Sequence, residues 1–361
     1  MSATHTTEAP ITDAHIASGL QGQRVLLVGG AGFIGHHVAL SLRSKGAEVM
    51  VVDHLGVNHA VTNEFDDTRH PIARRMYRNS LLSRLELLRE AGVRLENVDA
   101  CYERPLSDRF DQFQPTKVVH LAAISSAVQA KKTPGVCFDL QLISLRNTLE
   151  LARRSSTTSQ VMLMSSSTVY GDFEGSEVNE DSPLRPRGIY ANAKFMGEKL
   201  LQTYGDQYGL GTTIIRPSAL YGERCVSRRV SQLFIENALL GKALRLDGGG
   251  EGRLDFTYVA DLADGITRAL ALHRGPEDHG IFNLTYGAAQ PIKTLAEVVK
   301  DLVPEVQIEV HPWDNSRPVR GTLSIDRARA QLGFVPQWPL SQGYRRYCEW
   351  YIEGWRQAQK G

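Results

Sequence analysis

The stretch VLLVGGAGFIGHHVALSL, residues 25–42, decides how the rest of the chain is read. Its first four residues, Val25 to Val28, are all apolar, which predicts a parallel strand buried on both faces. After Gly35 the pattern turns helical, with Val38, Leu40 and Leu42 set among His36, His37 and Ser41. Between the two stand Gly29, Gly32 and Gly35. Glycine weakens regular structure, so three at this spacing imply that something approaches the backbone closely. A strand, a glycine turn and a helix form an anion site, because free N–H groups at the helix start point at a phosphate. The spacing is Gly-x-x-Gly-x-x-Gly, not the commoner Gly-x-Gly-x-x-Gly of dinucleotide sites, and alone it also fits an ordinary tight turn.

The next apolar run narrows the choice. AEVMVVDHLG, residues 47–56, reads as a second strand ending at Asp53, 18 residues beyond Gly35. A dinucleotide-binding domain places there the carboxylate that accepts the adenosine ribose hydroxyls. An acid at this point repels a 2′-phosphate, and the following residue is His54, not arginine. The expected cofactor is therefore NAD.

Composition excludes several other classes. The 361 residues are 42% hydrophobic and 22% charged, with 41 Lys and Arg against 40 Asp and Glu. That balance offers no basic surface for nucleic acid or an acidic membrane. Cys101, Cys137, Cys225 and Cys348 are scattered without metal-ligand spacing, as in a reduced, cytoplasmic protein with no bound metal. No run approaches the ~20 apolar residues that span a bilayer. Residues 1–22 lack a basic start and an apolar core, so they are expected to be a loose, disordered tail.

Strands expected at 25–28, 49–52, 93–98, 117–121 and 160–164 alternate with helical stretches, predicting an α/β fold with a Rossmann-type doubly wound parallel sheet. The cofactor domain is expected to cover 23–215, with a return near 254–285. Residues 216–361, broken by loops such as LDGGGEGRLDF and HPWDNSRPVRG, would form a smaller substrate-binding domain. An insertion at 56–92 carries Arg69, Arg74, Arg75, Arg78, Arg84 and Arg89, and closes with the amphipathic helix LLSRLELLREAG. Those arginines fit either a solvated helix face or an anion site.

The reactive groups come in the middle of the chain. VMLMSSSTVYG, residues 161–171, ends a buried strand in three serines, and GIYANAKFMGEKLL carries Tyr190 and Lys194 four residues apart. Positions i and i+4 share a helix face, which sets an ammonium beside a phenol. A free tyrosine has a pKa of about 10, and lowering it by about three units takes roughly 4 kcal/mol. A fixed cation and a positively charged nicotinamide act in that direction. A strand-end serine could then hold the reacting alcohol.

With these motifs in hand, the chain resembles the extended short-chain dehydrogenase/reductases, the NAD-dependent nucleotide-sugar epimerase/dehydratase group. The resemblance runs from Val25 to Tyr351 through GGAGFIG, VVDHLG, VVHLAA, SSSTVYG, YANAK, IIRPSALYG, RLDFTYVADLADGI, FNLT and SIDRARAQLGF. It implies that Gly29, Gly32, Phe33, Ile34 and Gly35 hold the pyrophosphate, Asp53 the ribose and Asp99 the adenine, although Val98 stands where glycine usually precedes that acid. Leu121, Ala122 and Ala123 would lie under the cofactor. Ser166, four residues before the tyrosine of VYG, would be the catalytic hydroxyl, with Tyr190 as base and Lys194 as its partner, the last two also touching the cofactor. Ser125, Ser166, Ser167, Arg253 and Arg317 would meet the sugar nucleotide. Three positions depart from the pattern: Gln141 and Ala219 replace asparagines, and Ser167-Thr168 replaces the Asp-Glu pair of 4,6-dehydratases. Dehydration needs an acid for the leaving hydroxyl, so the reading favours C4 epimerisation of a UDP-hexose or UDP-hexuronate. A dehydratase, 3,5-epimerase or decarboxylase is the alternative within the group, and an NAD-sensing regulator the alternative outside it. The resemblance also implies a homodimer through helices around 136–153 and 190–207.

Overall fold

The structure is a computed structural model, and it describes residues 12–56, 70–125, 127–272, 279–314 and 318–360. Seven strands form its central sheet: β1 (Arg24–Val28), β2 (Glu48–Asp53), β3 (Arg94–Asn97), β4 (Lys117–His120), β5 (Gln160–Met164), β6 (Gly211–Arg216) and β7 (His279–Asn283). Their order is β3-β2-β1-β4-β5-β6-β7, and every pairing is parallel. The doubly wound sheet expected from the alternating runs is present, with β6 and β7 added beyond the five expected strands.

The apolar runs explain the layering. Val25 and Leu27 pack on one face of the sheet with Val38, Leu42 and Ile266. Leu26 and Val28 point the other way, into a core with Phe110, Leu145, Leu149 and Leu201. Successive strand residues face opposite sides, so a run with no polar member needs helices on both. Only β3 is polar, as an edge strand should be, and Arg94 and Arg109 bracket its Glu96 at 2.7 and 2.8 Å. A third core gathers the helices Val230–Leu239, Lys293–Leu302 and Leu340–Lys360 around Phe234, Leu295, Tyr347 and Trp355.

Two expectations are corrected. Asp13–Leu20 is a helix, not part of a loose tail. Ile16 and Leu20, one turn apart, are buried against the helix Val259–Ala271, and a Cβ on Gly19 would stand 2.7 Å from the Ala271 carbonyl oxygen. Thr12 and His15 close its start as a reciprocal cap. The helix of the insertion runs from Pro71 to Glu90, about three turns longer than its apolar end suggested. It packs Ala73 and Met76 into the third core, and Arg84 on the same helix is 1% exposed. A wholly solvated arginine face is therefore excluded. Arg69 lies outside the described residues.

Candidate active site

The carboxyl ends of β1, β2 and β4 open into a cavity of about 360 Å³. Ten of the twelve residues expected to touch the cofactor border it: Gly29, Gly32, Phe33, Ile34, Gly35, Asp53, Asp99, Leu121, Ala122 and Ala123, whereas Tyr190 and Lys194 do not. Ser125 borders it too.

The three glycines divide their work. Gly29 has φ +79°, and a Cβ there would sit 2.6 Å from the Ala122 nitrogen, so the β1 turn and the β4 turn can cross only with glycine. A Cβ on Gly35 would stand 2.5 Å from the Gly30 carbonyl oxygen, so glycine lets the helix Phe33–Ser44 press onto the loop. Gly32 differs. A Cβ there would meet only the Gly29 oxygen at 3.5 Å, an ordinary contact. The protein itself does not require glycine at 32, and the open space lies at the helix N-terminus, as a bound phosphate needs. The residues present therefore fit a dinucleotide.

Asp53 ends β2 with both carboxylate oxygens engaged: Ala31 N donates to Oδ2 at 3.0 Å and Leu55 N to Oδ1 at 2.8 Å. It fastens the glycine loop as well as facing the cavity. Burial raises its pKa, against the pull of those two backbone bonds. Asp99 accepts from Cys101 N at 2.9 Å.

Beyond β5 the expected catalytic groups converge. Ser166 starts a turn of 3₁₀ helix, and its Oγ accepts from Thr168 N at 3.2 Å and from Thr168 Oγ1 at 3.0 Å. Burial raises the pKa of the Tyr190 phenol, while the Arg229 cation and the nearby Ser166 side chain draw it down. Lys194, one turn along Gly188–Tyr208, is 6% exposed and donates to the Met164 carbonyl oxygen at 2.8 Å. Burial lowers its pKa to about 8. Arg229 caps the helix Val230–Leu239 and donates to the Ser125 carbonyl oxygen at 2.9 Å, which brings its charge across the cavity mouth.

Sequence reasoning passed over the network that holds this group in place. Arg216, at the end of β6, donates to both oxygens of Glu198, at 3.0 and 2.7 Å, with both side chains 2% exposed. Glu198 also accepts from Ser165 Oγ, next to Ser166. Arg216 reaches Tyr170 OH at 3.0 Å, and Tyr170 donates to Asn283 of β7 at 2.7 Å. The signal was in view, since Glu198 stands four residues after Lys194 and Arg216 opens RPSALYG. Gln141, buried in the π-helical turn Asp139–Ile143, donates to Cys137 Sγ.

The substrate arginines fare differently. Arg253 is exposed, donates to the Ala289 carbonyl oxygen at 2.6 Å and does not border the cavity. Arg317 lies outside the described residues. Ser167 is 7% exposed beside Ser166. Asp172 and Glu174 are drawn off by Arg187 and Arg185.

With the geometry established, comparison gives the family. The chain is 28% identical over 348 residues to UDP-glucuronate 4-epimerase 5 of Arabidopsis thaliana, covering 92% of this chain and 76% of that one. It is 25% identical to the dTDP-glucose 4,6-dehydratase of Neisseria meningitidis, covering 92% and 94%. Among solved structures, the Thermus thermophilus UDP-glucose 4-epimerase in complex with NAD superposes with a TM-score of 0.74 at 26% identity, covering 91% of this chain and 99% of that one. The Bacillus cereus UDP-glucuronic acid 4-epimerase, in complex with UDP-glucuronic acid and NAD, shares the fold with a TM-score of 0.77 at 22% identity, covering 92% and 99%. The profile of the NAD dependent epimerase/dehydratase family matches residues 25–285, and the chain belongs to that family.

Proposed function

We propose that this chain is an NAD-dependent nucleotide-sugar 4-epimerase, inverting C4 of a UDP-linked hexose or hexuronate through a 4-keto sugar. One observation carries the reading: the Ser166 hydroxyl at the end of β5 stands near enough to act on the Tyr190 phenol, and it is Thr168, not a carboxylate, that bonds it. Asp172, Glu174 and Glu198 are each paired with an arginine, and none stands at 167–168, where the 4,6-dehydratases carry the acid for the leaving hydroxyl. The dehydratase alternative needs such an acid.

Tyr190, as phenolate, would take the proton of the sugar 4-hydroxyl while Ser166 holds that oxygen. NAD, when bound, supplies the reversible two-electron chemistry at C4. The 4-keto sugar would turn about its diphosphate tether, present its other face, and receive its proton back from Tyr190. Lys194, one turn along the same helix, is tied to the Met164 carbonyl oxygen at the end of β5. Of the two sugar classes, Arg229 favours the hexuronate, because a cation that acts on Tyr190 is also available to pair with a sugar carboxylate.

The exposed Val128, Val136 and Met196, on neighbouring helices, support a homodimer through that face. Sedimentation at twice the 40.0 kDa chain mass is the expected result. The four free thiols support a cytoplasmic location. Among the described residues no helix is long and apolar enough to cross a membrane. Residues 23–215 with the return near 254–285 are proposed as the cofactor domain and 216–361 as the substrate domain.

The test uses UDP-glucuronate and UDP-glucose deuterated at C4. Epimerised product that keeps the label at C4, with none lost to water, is the expected outcome. A 4-keto-6-deoxy product or washed-out label would overturn the reading.

A further inference from the structure

Arg84 stands out among the groups that the catalytic reading leaves unused. It sits on Pro71–Glu90, 1% exposed, and borders the cofactor cavity together with Leu81 and Leu85. Its Nη2 donates to the Arg224 carbonyl oxygen at 2.5 Å, and Arg224 turns that carbonyl through a left-handed φ of 63°. Its Nε and Nη1 are buried with no hydrogen-bond partner among the described residues. Leaving donors of a buried cation unmet is costly, so such a group ordinarily has a partner.

The surroundings indicate the partner's charge. Asp53 is the acid whose field reaches Arg84, but both its oxygens already accept backbone N–H groups. Arg224 adds a second positive charge. His36, beside Arg84, is kept neutral by burial and by the neighbouring cations, and its Nδ1 bonds the Gly32 carbonyl oxygen. Across the same cavity lies the N-terminus of Phe33–Ser44, whose free N–H groups also favour an anion. Arg84 and that N-terminus thus border one space.

We propose that Arg84 binds the diphosphate of the dinucleotide together with the glycine loop, making the helix of the insertion a cofactor-holding element. The inference rests on the dinucleotide site and not on which sugar is turned over. The shared chemistry is a phosphate oxyanion, which NAD, a 2′-phosphate or the sugar nucleotide could each present. The positions of Asp53 and Gly32 favour the first.

The test is direct binding to the full chain stripped of cofactor, comparing Arg84→Met with the parent for NAD, adenosine, NADP and UDP. NAD should bind Arg84→Met about tenfold or more weakly, as expected for losing hydrogen bonds to a charged group. Adenosine and UDP should change less than about twofold on the same scale. The unfolding temperature of the stripped variant should be no lower than the parent's, because an unmet charge has gone. NAD affinity left intact, an equal loss for adenosine, or a loss confined to NADP or UDP would each overturn the proposal. If Arg84→Met does not fold, Arg84→Gln should give the same ordering. Failure of the stripped parent to take up NAD would instead overturn the dinucleotide reading itself.

Discussion

Tyr190 and Arg229 lie on different helices, and the charge of one acts on the proton of the other. The phenol's pKa is raised by burial and drawn down by Arg229 and by Ser166. Removing the cation should therefore raise it further. If the phenolate is the base, turnover climbs with pH as Tyr190 ionises, so Arg229→Met should move that limb to higher pH. The pH profile of kcat/KM measures this directly, and an unmoved limb would mean the cation does not tune the base. Tyr190→Phe removes the titrating group and should lower turnover about 10²–10⁴-fold while NAD remains bound. Ala219 marks another residue-scale departure. It holds φ +38° in RPSALYG, a conformation that asparagine tolerates better than alanine.

At the scale of elements, the Glu198–Arg216 pair joins the helix that carries Tyr190 to β6, and through Tyr170 to β7. Removing one member of a buried ion pair strands the other, which typically costs about 3–5 kcal/mol. Glu198→Ala and Arg216→Ala should each destabilise by that order in urea unfolding, and the double variant by much less than the sum. Strict additivity would show that the pair is not a unit. The same network marks the limit of what sequence conveys. The glycine loop and Asp53 were legible because their roles are local, each set by neighbours a few residues away. Glu198 and Arg216 are joined only by the crossing of a helix with a strand, and no period or spacing records that. The helix Asp13–Leu20 escaped for another reason: two buried residues are too few to make an amphipathic stripe. Arg84 hid within a helix on which Arg75, Arg78 and Arg89 are exposed and Arg74 is partly so. Its burial depends on the Arg224 loop, 140 residues away.

Over the whole molecule, buried histidines set the response to acid. Burial holds His120 down to about 3 and His37 to about 4, with His36 also well below its ordinary value. In the unfolded chain each would titrate near 6.5. Below that pH the unfolded chain takes up protons that the folded chain refuses, so stability is full above 6.5 and is lost as pH falls. Asp255, which burial lifts to about 6, protonates first in the folded state and offsets one histidine. His120→Gln should therefore flatten the dependence between pH 6 and 4 by roughly 1.4 kcal/mol per pH unit, the value of one proton. Urea unfolding at several pH values reads that slope, and an unchanged slope would sink the assignment.

The order of the sheet also has a consequence for synthesis. β6 ends at Arg216, but the strand that covers its outer edge, β7, begins at His279. At roughly 5–20 residues per second, the ribosome takes about 3–12 s to supply it. Throughout that interval the nascent chain offers a row of unpaired N–H and C=O groups on a strand whose six residues are all buried once folding is complete. Chains released after residue 272 would keep that edge open for good, and should aggregate under conditions where the full chain stays dispersed. The vulnerable period of this protein thus falls late in translation, after the glycine loop has been made and before the last strand arrives.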